Sequence, residues 1–176
     1  MTVTPHNPIT DVDGKNVDVD ISISCTSWPE ALRAVEELCR KSVWAALRTS
    51  AKHLRQAEVS IVLADNDFIQ GLNKQYRQID RPTNVLAFPG DDVLSDADHA
   101  AAPVMLGDIV VAYETAASEA HNENKSLADH LSHLVVHGTL HLLGYDHEDD
   151  GDALTMETLE IEVLATLGVQ NPYDET

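Results

Sequence analysis

Four histidines of this chain, His130, His133, His137 and His141, are spaced 3, 4 and 4 residues apart, so at ~100° per residue they share one stripe of a helix. The segment that carries them, Ser126 to Leu143, has leucine and valine around every side of the helical wheel, the mark of a helix enclosed by protein. Enclosed imidazoles need partners for both ring nitrogens, and several together repel one another if protonated. A cation answers both needs. His137 and His141, an i, i+4 pair, can aim two nitrogens at one ion from successive turns. Gly144 then allows the helix to end in a left-handed turn, and the chain returning through Tyr145 and Asp146 can bring His147 to the same ion. Three protein ligands leave a further position for water, the arrangement of a catalytic rather than a structural zinc. One zinc per chain is therefore expected on His137, His141 and His147, with His133 and Asp146 supporting these ligands from behind. The acidic run Glu148, Asp149 and Asp150 reads as a solvated turn and the N-cap region of the next helix.

The elements that position these residues can be read from hydrophobic period and breakers. VDVDISIS, Val17 to Ser24, alternates as a half-buried strand. A helix follows, opened by Ser27 as a possible N-cap and Pro29 and continuing to about Ala51. Glu58 to Ala64 is a second strand, and Asp65 to Tyr76 a helix capped by its aspartate. Asn84 to Phe88 and Asp108 to Ala112 are two further strands, with an exposed Asp- and Ala-rich loop, Pro89 to Pro103, between them. Ala153 to Leu167 is amphipathic, with Gly168 as its C-terminal stop. The expected architecture is α+β: one small domain over 17–170, with a mixed sheet of about four strands, about five helices and the zinc site on a buried C-terminal helix. Residues 1–16 and 171–176 are expected as tails.

Composition limits the function classes. The chain has 176 residues, 43% of them apolar, and no apolar run approaches the ~18 to 20 residues of a membrane span. Its first twenty residues hold four Asp, one Lys and no apolar stretch, unlike a secretory or transit segment, so a cytoplasmic location without membrane contact is expected. Cys25 and Cys39 form no CxxC pair and read as reduced, buried thiols. The net charge of −19 works against binding a polyanion unless a local cationic patch, a metal or a partner compensates. One such patch exists: between Gly71 and Gly90, Lys74, Arg77 and Arg81 face Asp80 alone. Arg77 suits phosphate because a guanidinium donates in a planar fork, although a surface pair with Asp80 would use it equally well.

The spacing His137, His141, Gly144, His147 coincides with that of metzincin proteases, in which a Glu directly after the first histidine is the general base. Gly138 stands there, which leaves peptide hydrolysis without an evident proton acceptor. HGTLHLLGYDHEDD instead resembles the signature of the YbeY-type endoribonucleases that mature ribosomal RNA. YRQIDRPTNVLAFP, Tyr76 to Pro89, and LGDIVV, Leu106 to Val111, resemble that family's other characteristic segments, and the similarity spans about Val17 to Leu167. The resemblance implies a metal-dependent, single-strand-preferring endoribonuclease acting in late maturation of the small-subunit rRNA at its 3′ end and in ribosome quality control. It also implies ribosomal RNA, small-subunit proteins and an assembly GTPase as partners, and no DNA. His137, His141 and His147 match the family's metal ligands, and Arg77 its functionally important arginine. Arg77 and His137 are thus the expected catalytic residues, with Lys74, Arg77 and Arg81 as RNA contacts. Two other readings remain, a metzincin-like protease lacking the usual Glu and a non-catalytic ribosome-assembly factor with structural zinc.

Overall fold

The computed structural model describes residues 9–10, 16–91, 102–146 and 149–174. His147, Glu148 and most of the expected Pro89 to Pro103 loop lie outside them. A mixed sheet of five strands forms the centre, in the order β1-β2-β3-β5-β4. The strands are β1 (Ile9–Thr10), β2 (Asn16–Ile23), β3 (Gln56–Ala64), β4 (Val85–Pro89) and β5 (Val104–Ala112). β2, β3 and β5 run parallel, with Ile21 beside Ile61 and Ile61 beside Ile109. The edges β1 and β4 are antiparallel to their neighbours. The strand beyond the expected four is β1, which contributes two residues from the segment expected as a tail.

Period two sorts β2 as expected: Val17, Val19 and Ile21 are buried while Asp18 and Asp20 point away. β5 starts four residues before the expected Asp108, because a bulge interrupts its pattern where the pairing shifts between Glu58 and Val59. Gly107 makes the bulge possible. Its φ of 127° is closed to other residues, and a Cβ there would stand 2.1 Å from the Phe88 carbonyl oxygen.

Among the described residues six helices surround the sheet: α1 (Ser27–Ala31), α2 (Val35–Ser50), α3 (Asn66–Arg77), α4 (Tyr113–Asn122), α5 (Leu127–Leu142) and α6 (Asp150–Thr166). The single helix expected from Ser27 to Ala51 is two. Leu32 is extended at φ −131° and ψ 97°, while Trp28 is held in the core by donating its Nε1–H to the Ala64 carbonyl at 3.0 Å. Trp28 and the buried row Val35, Cys39, Val43 on either side of the break join the same core cluster as the sheet. The residue before α1 is Thr26, without a side-chain cap, rather than Ser27. α4 follows β5 directly and is absent from the sequence reading, because its buried side is only Ala116 and Ala120.

The layers explain the all-round apolarity of α5. Leu131, Leu134 and Val135 pack with Ile61, Ile109 and α2 on the sheet side, whereas Val136 and Leu140 pack with Met156, Val163 and Leu164 of α6. α3 covers the opposite sheet face through Ile69 and Leu72. Cys39 is fully buried, and desolvation pushes its thiol up to about 12. Cys25, expected buried, is only half-buried. No helix among the described residues is long and apolar enough to cross a membrane.

Candidate functional site

α5 is set in place by both its ends. Ser126 caps it by accepting the Asp129 N–H at 3.0 Å. At the other end Gly144, at φ 91°, donates to the His141 carbonyl while Tyr145 donates to Leu140, the paired bonds of a Schellman stop. The left-handed exit expected of Gly144 is thus observed, and it fixes the last turn that carries His137 and His141. Their two Nε2 atoms converge to 3.1 Å. Among the described residues no set of three His, Cys, Asp or Glu side chains is close enough together to hold an ion, and the expected third ligand, His147, lies outside those residues.

Glu160 of α6 stands behind His137 of this pair. It is completely buried, with His133 Nε2 at 3.3 Å from its Oε2 and His137 Nδ1 hydrogen-bonded to its Oε1. Tyr173 donates its hydroxyl to Oε2. Burial alone would raise this carboxyl. The hydrogen bonds from His133 and His137, the His137 charge and the Tyr173 hydroxyl outweigh it and hold Glu160 well below the usual carboxylate range. Tyr173 moves the other way, pushed above its ordinary value first by burial and then by its hydrogen bond to Glu160. An ionised carboxylate only accepts, so Nδ1 of His137 donates to Oε1, and in the neutral ring the lone pair is then on Nε2. A divalent cation could be held by Nε2 of His137 and Nε2 of His141, with the Glu160 carboxylate behind the first.

Glu160 was not singled out from sequence, although a signal existed. It sits between Met156, Val163 and Leu164 on the buried face of α6, where an unpaired carboxylate is rare. A second carboxylate was missed with α4. Glu119 accepts from His130 Nε2 at 2.8 Å and from the Asn84 amide at 3.0 Å. The Asn84 carboxamide oxygen accepts the Val85 N–H at 2.7 Å, so Asn84 ties the start of β4 to α4.

Arg77 ends α3 and is exposed. The helix is capped as expected by Asp65, which accepts the Phe68 N–H at 2.9 Å. It stops at Gln78, left-handed at φ 60°. The following loop is tied back by Asn73, whose amide donates to the Arg81 carbonyl at 2.8 Å. Arg77 thereby reaches a cleft of ≈480 Å³ that it lines together with His137, Gly138, His141 and Asp146. The cleft passes the edge strand β4, whose Val85 and Ala87 form its floor. The alternative partner of Arg77 is engaged elsewhere, since Asp80 accepts from Gln70 at 2.9 Å and from Lys74 at 2.8 Å. Those bonds, Gln70 first, lower the Asp80 carboxyl. Lys74 and Arg81 are exposed and do not line the cleft. A second cleft, also ≈480 Å³, shares Asn84, Val85 and His137 with the first and is walled by His130, His133 and Tyr173.

Gly138 faces the sheet. A Cβ there would stand 3.0 Å from the Ile109 side chain, so the glutamate of a metzincin at this position would require Ile109 to shift.

The class these features define is a small α+β domain in which a histidine pair, backed by a buried carboxylate, shares a cleft with an arginine. Residues 22–168 match the family model described as Endoribonuclease YbeY, and the chain belongs to that family. It is 47% identical over 159 residues to the Endoribonuclease YbeY of Paramagnetospirillum magneticum, covering 90% of this chain and 97% of that one. With the Endoribonuclease YbeY of a Bradyrhizobium species it shares 46% over 169 residues, 96% of this chain and 95% of that relative. A Thermotoga maritima protein solved in solution superposes with a TM-score of 0.51 at 26% identity, covering 90% of this chain and 96% of that one.

Proposed function

We propose that this protein is a zinc-dependent endoribonuclease that cuts single-stranded RNA, with the 3′ end of the small-subunit rRNA as its target and ribosome quality control as a further role. The observation that carries the reading is the convergence of His137 and His141 Nε2 in a cleft that Arg77 also lines. His147, which lies outside the described residues, is the third ligand expected from the sequence. Bound there, zinc supplies an acidified water and a Lewis acid for phosphoester hydrolysis. Arg77 donates its planar fork to non-bridging phosphate oxygens and offsets the charge that builds on them. Glu160 holds the hydrogen of His137 on Nδ1, away from the cleft. In a chain of −19, one guanidinium at the cleft and a cation on the histidines supply the local positive field that RNA requires. The protein works in the cytoplasm with small-subunit proteins and an assembly GTPase.

The test is cleavage of a single-stranded RNA by the zinc-loaded chain beside a His141→Ala protein purified identically, with casein as a second substrate. Cleavage of RNA by the parent alone, lost with a chelator, supports the reading. Equal RNA cleavage by both proteins defeats it and leaves an assembly factor with structural zinc.

A further inference from the structure

The described part of the C-terminal segment expected as a tail docks on the domain. The Lys125 ammonium donates to the Pro172 carbonyl at 3.0 Å, and the Tyr173 ring meets the His133 ring edge-on at 5.8 Å between centroids. The Tyr173 hydroxyl ends on Glu160 Oε2, the oxygen that His133 also approaches, which leaves Oε1 to His137. The two carboxylate oxygens are thus divided between the end of the chain and the cleft. This division matters because a histidine ring left to itself carries its hydrogen mainly on Nε2, the nitrogen that here points at His141. A hydrogen there would exclude a metal.

We infer that Glu160 is a positioning residue that holds His137 in its Nδ1–H form, and that Tyr173 fixes Glu160 in turn, so that the C-terminal segment helps set the metal affinity of the histidine pair. The inference rests on the metal reading above, but the tautomer it specifies exists without any ion. A purely space-filling Glu160 would tolerate its amide isostere with no change at His137.

The experiment compares the full chain with Glu160→Gln and Tyr173→Phe proteins. Long-range ¹H–¹⁵N spectra of the imidazoles are recorded on metal-free samples at mildly alkaline pH, and zinc affinity is measured by competition with a chromophoric chelator. The parent is expected to show His137 as the Nδ1–H tautomer. Glu160→Gln, which can also donate to Nδ1, should give a mixture and bind zinc roughly 10- to 100-fold more weakly. Tyr173→Phe should weaken zinc less than about tenfold, since it loosens the carboxylate without removing it. Glu160→Gln with the parent's tautomer and affinity overturns the inference. If Glu160→Gln does not fold, Tyr173→Phe decides, and unchanged affinity in that protein overturns the role of the C-terminal segment. A parent that binds no zinc defeats the metal reading alone, because the spectra still report whether Glu160 governs the tautomer.

Discussion

α5 and α3 send residues to the same cleft from opposite faces of the sheet, and they do so on different terms. α5 is enclosed between the sheet and α6, so its histidines share their turns with Leu131, Val135 and Leu140, all fully buried. α3 buries only Ile69 and Asn73 and presents Arg77 to solvent. Chemistry and stability are therefore inseparable on α5 and separable on α3. Two helices can contribute to one reaction while only one of them is free to change without cost to the fold.

The comparison breaks most visibly at Leu140. Leu140→Ala should lower unfolding stability by ~2 to 5 kcal/mol, as large-to-small changes in closed cores do; a denaturant midpoint close to the parent's would show that α5 can relax and that the enclosure argument is wrong. Arg77→Ala is the counterpart on α3. It should slow RNA cleavage roughly 100-fold, about 2.7 kcal/mol at the transition state, yet leave zinc content unchanged and unfolding within about 0.5 kcal/mol. Steady-state rates beside thermal melts decide it, and Arg77→Lys should recover only part of the rate if the fork geometry matters.

If zinc sits as proposed, its removal acts through the histidine pair of α5. At zinc 100-fold above its dissociation constant, linkage adds about 2.7 kcal/mol to the folded state, so a chelator should lower the melting temperature of the parent and have no effect on a His141→Ala protein. An equal shift in both would place the zinc elsewhere. The smallest effect is expected at Asp80→Asn on the exposed side of α3. The lowered carboxyl of Asp80 favours the fold only above the usual carboxylate range, and this gain fades as pH falls through it. Because Asp80 and Lys74 are both exposed, salt screens even that. Asp80→Asn should melt with the parent at neutral pH, and a clear loss of stability would mean that the loop after α3 is held more tightly than its exposure implies.

What could be read from the sequence follows the same division. α5 and its glycine stop were legible because a buried helix must be apolar on all sides and must terminate its backbone bonds somewhere, whereas the Ser126 cap was not read. The Asp65 cap was legible from local chemistry; Arg77 was marked by the basic stretch around it and by the family resemblance, and only the fold puts it on the cleft of the histidine pair. α4 was not, since two alanines make too weak a stripe to detect, and Glu119 was lost with it. The break at Leu32 depends on Trp28 finding the Ala64 carbonyl across 36 residues, a tertiary bond that no local pattern announces. Glu160 was overlooked for a different reason: it was visible as a charge in an apolar face, but its partners lie 23 and 27 residues upstream.

The order of elements along the chain has a consequence for synthesis. All five strands are complete at Ala112, whereas α5 begins only at Leu127. A polypeptide growing from its N-terminus thus has a whole sheet before the helix that covers it exists. During that interval the inner side chains of Ile61, Ile109 and Val111, sealed in the finished protein, lack the cover of α5. Exposed apolar sheet in a nascent chain is prone to wrong association, so products cut short between α4 and α5 should be the insoluble ones. The helix of the histidine pair is also the lid of the core, so the protein acquires the pair and the cover of its sheet in the same step of synthesis.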